Sequence, residues 1–413
     1  MRIRPPENRG AALASTLLII LFLTLFAFTL ANLATFDLRT SSRNAQKQKA
    51  FEAAQAGLDA VTAELSTDPT LGKAGEVFAA TLSDGSSYRV TFDDTDTSQP
   101  FSANNLDSLT PEPIGYDGRN VPAFHASLFA VGTSPSGETS IVESLIRLEG
   151  IPYAVAGSET VTLRNMNVSA PGGDEAHVYS GRFGSNSLSI SGLLSLVTGD
   201  ARSAGLVNVG GGAIVQGAEE SNISPETLPQ LDISRFDTSL GPPGSYVTHT
   251  PGPIPVDITF GPGKHYIEGP ANYLLMTMDR ATVYVSDDLT ATALVGTGTI
   301  FVNGETTFTA NISMSGSDRI TLFSNEDIHF GLLTVFQGVV YSHGDIRAAG
   351  VFQIIGAVYA VGSGGSGGSV ELGGLLLSIS NVLYDAQSAA FASFWLAQGG
   401  EADAVRVYWR KLR

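Results

Sequence analysis

Two aspartates in the C-terminal third of the chain have a spacing that could place carboxylates side by side. Asp327 and Asp345 stand 18 residues apart, and Glu326 precedes the first of them. Paired carboxylates on one face are the arrangement that cleaves glycosidic bonds. If the offset is a structural repeat, both aspartates lie at equivalent corners, where acidic residues are usually solvated turn residues. We interpret them as turn residues, with polysaccharide cleavage as the enzymatic alternative.

The histidines and the oxygen-rich segments form no recognisable metal motif in the sequence. There are six histidines, and none forms the close pair that zinc enzymes use. Residues 93–97 (Asp-Asp-Thr-Asp-Thr) could bind Ca²⁺ through side-chain oxygens, but they lack the glycine and terminal glutamate of an EF-hand loop. We therefore expect no enzyme, no bound metal and no cofactor, and a solvated turn at 93–97.

The charges separate a basic N-terminal segment from an acidic remainder. The net charge is −17 at pH 7. Residues 1–49 hold seven of the 23 Lys and Arg but only two of the 40 Asp and Glu, so residues 50–413 are strongly acidic. An acidic surface keeps a protein soluble and repels nucleic acid, which we exclude as a partner. The sequence has no cysteine, and disulfides are therefore excluded.

The first structural element of the chain is predicted from an apolar run from Ala11 to Ala31. A helix needs about 20 residues to cross a bilayer, and the run is long enough. Arg2, Arg4 and Arg9 precede it and predict that this end stays in the cytoplasm, with most of the chain beyond the membrane. A cleaved secretory signal is the alternative, but its apolar core is only about 7–15 residues long. We predict a retained transmembrane helix.

Beyond the membrane the helix continues as an amphipathic helix to about residue 66. Apolar side chains recur there at steps of three and four residues, which places them on one helical face. These residues are Phe51, Ala54, Leu58, Val61 and Leu65. Pro69 disfavours helical geometry in the residue before it and ends the helix. The whole helix would be roughly 80 Å long at about 1.5 Å per residue.

Residues 71–150 are predicted to form a small antiparallel sheet. Residues 87–92 alternate polar and apolar side chains, as a half-buried strand does. Two further strands, 124–131 and 139–148, flank a turn segment of glycine, serine and proline. We expect the apolar stripe of the helix to pack beneath this sheet in an α+β arrangement.

From residue 151 to about 385 the sequence repeats. Apolar triplets centred on Phe323, Tyr341 and Tyr359 stand 18 residues apart. A period near 18–22 residues is typical of an all-β parallel β-helix, a solenoid whose coils stack about 4.8 Å apart. A β-sandwich is the alternative, but it would not require a fixed offset. The aromatic residues of the triplets could bind sugars, although packing in the core is the interpretation we favour.

Two segments fall outside the repeat. Residues 218–258 hold seven prolines and are predicted to form an excursion over the surface. Residues 386–413 combine an apolar helical segment with an alternating strand pattern. Because an open solenoid end exposes unpaired strand edges, we expect this segment to act as a cap at one end of the β-helix.

The junction of Gly10 with the apolar run, followed by Ala50–Leu58 (AFEAAQAGL), resembles the PilX-type minor pilins of type IV pilus systems. In that family a prepilin peptidase cleaves after the glycine that closes a short basic leader. The resemblance implies cleavage between Gly10 and Ala11, with residues 1–10 as the leader. Major pilins carry a glutamate at the fifth mature residue, where this sequence has Ser15, and this difference favours a minor subunit.

The residues and the resemblance together predict a minor pilin-like, membrane-anchored subunit of a type IV pilus or a related secretion filament. The implied partners are other pilin or pseudopilin subunits, prepilin peptidase and the bacterial cytoplasmic (inner) membrane. The chain would cross that membrane once, with its C-terminal part outside the cytoplasm and, after assembly, on a cell-surface pilus. The β-helix would serve assembly or adhesion to a surface or carbohydrate ligand. A permanently anchored envelope protein and a carbohydrate-active β-helix enzyme are the alternatives.

Overall fold

In the computed structural model, a long helix leads into a small antiparallel sheet and then into a parallel β-helix. This is the predicted fold class, and it is confirmed. The structure describes residues 9–95, 100–106, 115–122, 125–149, 151–171, 175–242, 244–252, 254–310, 312–362, 367–373, 380–399 and 403–412.

The first helix, α1, runs without a break from Arg9 to Thr67. Its length follows from a sequence with no proline and only one interior glycine after the helix begins. The helix ends where the Asp68 amide donates to the carbonyl of Glu64 at 2.7 Å. The next residue is Pro69, which cannot continue the helical hydrogen-bond pattern.

The small sheet has the strand order β1-β2-β4-β5-β30, with β3 paired to β4. Its strands are β1 Val77–Thr81, β2 Ser87–Thr91, β3 Ala103–Asn105, β4 His125–Thr133, β5 Thr139–Glu149 and β30 Asp403–Lys411. All of these pairs are antiparallel, and α1 lies across β2, β4 and β5. The closest approach is at Gly132, where a Cβ atom would lie 1.9 Å from the carbonyl oxygen of Ala50. Only glycine lets the helix come so close to the sheet.

Within the described residues the β-helix has 24 strands, β6 to β29, and all of their lateral pairs are parallel. They are β6 Val155–Gly157, β7 Val161–Arg164, β8 Met166–Ser169, β9 Val178–Ser180, β10 Leu188–Ser191, β11 Leu196–Val197, β12 Ala201–Ser203, β13 Val207–Gly210, β14 Ile214–Val215, β15 Glu219–Glu220, β16 Val247–His249, β17 Val256–Phe260, β18 Gly263–Ile267, β19 Ala271–Val285, β20 Leu289–Val302, β21 Thr306–Phe308, β22 Ile312–Ser313, β23 Arg319–Ser324, β24 Ile328–Phe330, β25 Leu333–Ser342, β26 Ile346–Ala349, β27 Val351–Ala360, β28 Val370–Gly373 and β29 Ser380–Leu383.

The order of the coils differs from their order in the chain. The chain enters the solenoid in the middle, at β6, and builds outward through β9, β12 and β15 to one end. It then crosses to the opposite end, β16, and winds back through β18, β19, β20, β23 and β25 to β27. Strand β27 pairs with β6, so the first and last coils meet in the centre.

The crossing is made by residues 221–246, which we call the strap. It lies outside the coils and contains two short 3₁₀ helices, Ile233–Phe236 and Thr238–Leu240. The strap is narrower than the predicted excursion over 218–258, because Val247–His249 and Val256–Phe260 pair with neighbouring coils. The proline-rich segment therefore contains both the strap and part of the terminal coil.

The C-terminal segment does not cap an end of the solenoid, contrary to our expectation. Helix α2, Ala386–Gly399, packs against the side of the β-helix at β23, β25 and β27 and also contacts β5 and α1. Strand β30 then pairs with the edge strand β5 of the small sheet. The reason is the coil order: the last coil lies in the middle, so the chain leaves the solenoid from its side.

Candidate functional site: the N-terminal helix and the outer face of the β-helix

Helix α1 has two halves with opposite surroundings. Every described side chain from Ser15 to Ala45 is exposed, including large apolar ones such as Phe22 and Phe26. The most apolar window has a mean hydropathy of 2.5 and none of it is buried in the protein. By length and composition this helix can cross a membrane, and its exposed apolar surface suits lipid or another helix. Gly10 lies in the helical backbone near its start.

The second half of α1 is buried against the small sheet. Ala54, Leu58, Val61 and Leu65 have no exposed surface, and they share a core with apolar residues of the sheet. Phe51 is half-buried, and the Nζ of Lys411 lies 4.9 Å from the centre of its ring. The five residues of the predicted stripe therefore lie on the side of the helix that faces the sheet. Burying such a stripe contributes about 25 cal/mol per Å² of apolar surface.

An aromatic row runs along the outside of one face of the β-helix. The central residue of each apolar triplet points outward, while its two neighbours point into the solenoid core. In coil order the row is Tyr179, Tyr359, Tyr341, Phe323, Phe301, Tyr284 and Tyr266, and Ala156 interrupts it once, between Tyr179 and Tyr359. All but Tyr266 are almost fully buried, because the strap and α2 cover them. The row packs a second core and is not open to a sugar.

The strap is fixed to this row by tyrosine hydroxyls. The Glu226 amide donates to the hydroxyl of Tyr179 at 2.6 Å, and the Leu231 amide donates to that of Tyr341 at 2.8 Å. Farther along, Phe236 stacks on Phe301 with ring centroids 4.6 Å apart. Burial raises the pKa of Tyr179, so this hydroxyl stays protonated. The regular spacing of the tyrosines in the sequence indicated that they share a position in each coil. No pattern in the sequence indicated which strap residues would bind them.

The two aspartates of the repeat lie at one corner of adjacent coils and hold the backbone. Oδ1 of Asp327 accepts from the amide of Asp345 at 2.8 Å, and Oδ1 of Asp345 accepts from the amide of Ser369 at 3.0 Å. The same contact occurs at Asp200, which accepts from Ala218. These carboxylates are engaged in turn geometry, and this arrangement supports our interpretation of them as corner residues.

One cluster brings three candidate metal ligands together: Glu175, His177 and Asp200, with ligand atoms within 4.8 Å of one another. The carboxylates, however, face different ring nitrogens. Glu175 lies 3.6 Å from Nε2 of His177, and Asp200 lies 3.4 Å from Nδ1. Nδ1 also accepts from the Asp200 amide at 3.0 Å. Among the described residues, an ion at Nε2 would therefore gain only Glu175 nearby, which is too few ligands for a tight site.

The oxygen-rich segment at 93–97 is described only in part. Oδ1 of Asp93 accepts from the amide and the hydroxyl of Thr95, at 3.0 and 2.6 Å. These hydrogen bonds lower the pKa of the Asp93 carboxyl. Residues 96 and 97 lie outside the described residues. The described part has the hydrogen bonds of an ordinary acidic turn.

The comparisons with known proteins bear on the N-terminal helix. Residues 9–59 match the PilX N-terminal family. Among solved structures, the competence-associated pilin ComZ from Thermus thermophilus aligns over 89% of this chain and 98% of its own, with 12% identity and a TM-score of 0.31. That similarity is too weak to establish a common fold. No curated protein matches the sequence.

The family match covers the part of α1 that is exposed and the start of the part that packs beneath the sheet. It also contains the junction after Gly10 and the segment that ends at Leu58, the residues that carried the resemblance. The chain thus carries an N-terminal segment that matches the PilX N-terminal family, on a helix that leads into a small antiparallel sheet and a parallel β-helix.

Proposed function

We propose that the protein is a minor, membrane-anchored subunit of a type IV pilus or a related secretion filament. The observation that carries the proposal is the PilX match at residues 9–59, on a helix whose residues 15–44 are exposed and whose second half is buried. An apolar helix surface that no other described part of the chain covers suits lipid before assembly and other subunits after it.

The proposed mechanism begins with cleavage of the leader between Gly10 and Ala11 by prepilin peptidase. The arginines of the leader keep the N-terminus in the cytoplasm, and the rest of the chain lies outside the inner membrane. Helix packing with other pilin or pseudopilin subunits would then draw α1 from the bilayer into a filament. Ser15 places no charge in the membrane, so its helix enters lipid without the cost of a buried carboxylate.

The β-helix would be displayed as an assembly, spacer or adhesion module without catalysis. The buried aromatic row leaves only the other faces and the two ends of the solenoid for a surface or carbohydrate ligand. Corner carboxylates such as Asp327 are held by backbone amides. A carbohydrate-active enzyme would instead need a free carboxylate pair beside a substrate cleft.

The test is intact mass and N-terminal sequencing of the protein from membranes, with and without prepilin peptidase. We expect a peptidase-dependent start at Ala11, lost in a Gly10→Val variant. A start at Met1 in both samples would favour a permanently anchored envelope protein. A start after the apolar run would mean a secreted protein, and turnover of acidic polysaccharides would then be assayed. Co-purification with sheared filaments tests the assembly step separately.

A further inference from the structure

Three basic residues follow the apolar run on one side of α1. Arg39, Arg43 and Lys47 recur every four residues and are exposed. Arg43 and Val61 stand 18 residues apart, which is about five helical turns. The basic side of the helix is therefore the side whose continuation is buried beneath the sheet. We call these three residues the basic stripe.

The small sheet overhangs the basic stripe. The turn between β4 and β5 reaches the helix at this level, where the Nε of Arg43 lies 2.9 Å from Oε1 of Glu138. The turn between β1 and β2 reaches it slightly farther on, where Nζ of Lys49 lies 3.8 Å from Asp84. Between the helix and the β4–β5 turn lies a cleft of about 410 Å³, lined in part by Arg39 and Arg43.

The stripe begins at the level of a bilayer surface and extends away from it along the helix. The sequence has no charge from Ala11 to Phe36. Beyond Phe36, the backbone of Arg39 lies about 4–5 Å, that of Arg43 about 10 Å and that of Lys47 about 16 Å farther along the axis. The headgroup layer is roughly 5–7 Å thick on each side of the hydrocarbon core. Long arginine and lysine side chains can reach back into that layer.

The charge of the stripe contrasts with the rest of the ectodomain, which is strongly acidic. Arg43 is paired with Glu138, while Arg39 and Lys47 make no ion pair with a described residue. A guanidinium group matches the geometry of a phosphate, and a lysine ammonium adds positive charge. An acidic ectodomain would otherwise be repelled by an anionic membrane surface.

We propose that the basic stripe and its cleft bind the phosphate groups of anionic phospholipids in the leaflet that faces the sheet. This proposal rests on the membrane anchoring of α1 proposed above. Bound headgroups hold the sheet against the membrane surface while the subunit waits there. The contacts break when α1 leaves the bilayer, so the stripe sets part of the barrier to extraction.

The test uses the full chain in detergent micelles that contain equal amounts of phosphatidylglycerol and phosphatidylcholine, with retained lipid counted by native mass spectrometry. We expect the wild type to retain phosphatidylglycerol preferentially. The variant Arg39→Gln/Lys47→Gln should weaken that preference, by about fivefold for the charge at Arg39 and by less for the more distant charge at Lys47. The charge-conserving variant Arg39→Lys/Lys47→Arg should keep it. Lys264→Gln, at an exposed lysine on the β-helix, is the matched control and should behave as wild type.

Equal retention of the two lipids by the wild type would overturn the proposal, as would unchanged preference in Arg39→Gln/Lys47→Gln. If that variant kept its lipid but lost another pilin subunit on purification, the stripe would be a protein interface and the lipid site would be wrong. Leader cleavage and filament incorporation are read out separately, so a failure of the proposed function is distinguishable. Both substituted side chains are exposed, and unchanged thermal unfolding would verify folding.

Discussion

The amide of Tyr153 donates a hydrogen bond to the hydroxyl of Tyr359 at 2.7 Å, although 206 residues separate them. The bond lies where the first and last coils of the β-helix pair in the centre of the solenoid. Tyr359 is fully buried. This contact joins the first and last coils. We call the pairing of β6 with β27 the central seam, and the hydrogen bond offers a way to measure its stability.

Tyr359→Phe should weaken the central seam. Removal of the hydroxyl leaves the buried amide of Tyr153 without its acceptor, which costs about 1–3 kcal/mol. Hydrogen exchange should show faster exchange at the Tyr153 amide and lower protection of β6 and β27. Tyr246→Phe is the control, because its hydroxyl donates only to a peripheral strap carbonyl, at 3.3 Å. Equal protection in wild type and Tyr359→Phe would show that the contact does not stabilise the seam.

The corner formed by Asp327 and Gly344 should tolerate no side chain at the glycine. A Cβ atom at Gly344 would lie 2.4 Å from Oδ1 of Asp327 and 2.6 Å from its backbone nitrogen. We expect Gly344→Ala to lower the free energy of unfolding by about 1–3 kcal/mol. Asp327→Asn should have a smaller effect, since the amide oxygen can still accept. Denaturant unfolding monitored by circular dichroism measures both.

Gly210→Ala is the matched control for that corner. Gly210 also lies in the β-helix, but a Cβ atom there would meet nothing within 4 Å. Its substitution should change stability by no more than about 0.5 kcal/mol, as is usual for a surface position. A loss as large as that of Gly344→Ala would mean that backbone entropy, rather than the crowded corner, explains both results.

Phe236→Ala should release the middle of the strap. Phe236 stacks on Phe301 with an angle of 8° between the rings, and it meets Trp395 edge-on, with ring centroids 5.4 Å apart. Loss of this partly buried ring should cost about 1–3 kcal/mol, below the value for a fully buried phenylalanine. Limited proteolysis should then cut within residues 221–246 faster than in wild type. Leu240→Ala is the control, because that side chain is 78% exposed; equal cleavage of the two variants would contradict the role of the stack.

The sequence predicted the solenoid but not the path of the chain through it. The triplets around Phe323, Tyr341 and Tyr359 belong to successive coils, so their 18-residue offset reflects direct stacking. Val155 pairs with Val358, but no regular spacing in the sequence indicates this contact. The edge of one coil can pair with the edge of any other coil of the same shape. Local periodicity therefore gives the architecture, while the order of the coils depends on contacts distant in sequence.

The same dependence on contacts distant in sequence explains why the burial of the aromatic row and the position of the C-terminal segment were not predicted. Alternation indicates which residues point outward, but not what covers them, so the strap and α2 could not be predicted as the cover. Tyr341 is outward and yet fully buried for this reason. The apolar pattern of α2 predicted a helix correctly. Its location on the side of the solenoid follows from the coil order, which no pattern within residues 386–399 contains.

Stability should fall as the pH drops below about 6.5, because two partly buried histidines resist protonation. Burial lowers the pKa of His249, and the neighbouring His265 lowers it further. Burial also lowers the pKa of His343. The unfolded chain protonates these rings near pH 6.5, while the folded protein takes up the protons only at lower pH. Stability is therefore complete above pH 6.5 and is lost as the pH falls toward the folded pKa values.

The hydrogen bonds between His249 and His265 fix the positions of the two rings in the folded state. Nε2 of His265 lies 2.8 Å from the carbonyl oxygen of Gly261, so it carries the hydrogen, and Nδ1 of His265 accepts from Nε2 of His249 at 3.1 Å. Denaturant unfolding at pH 7.5, 6.5 and 5.5 should show a smaller decline in the His249→Gln/His343→Gln variant than in wild type. A decline as steep as that of the wild type would assign the pH dependence to other groups.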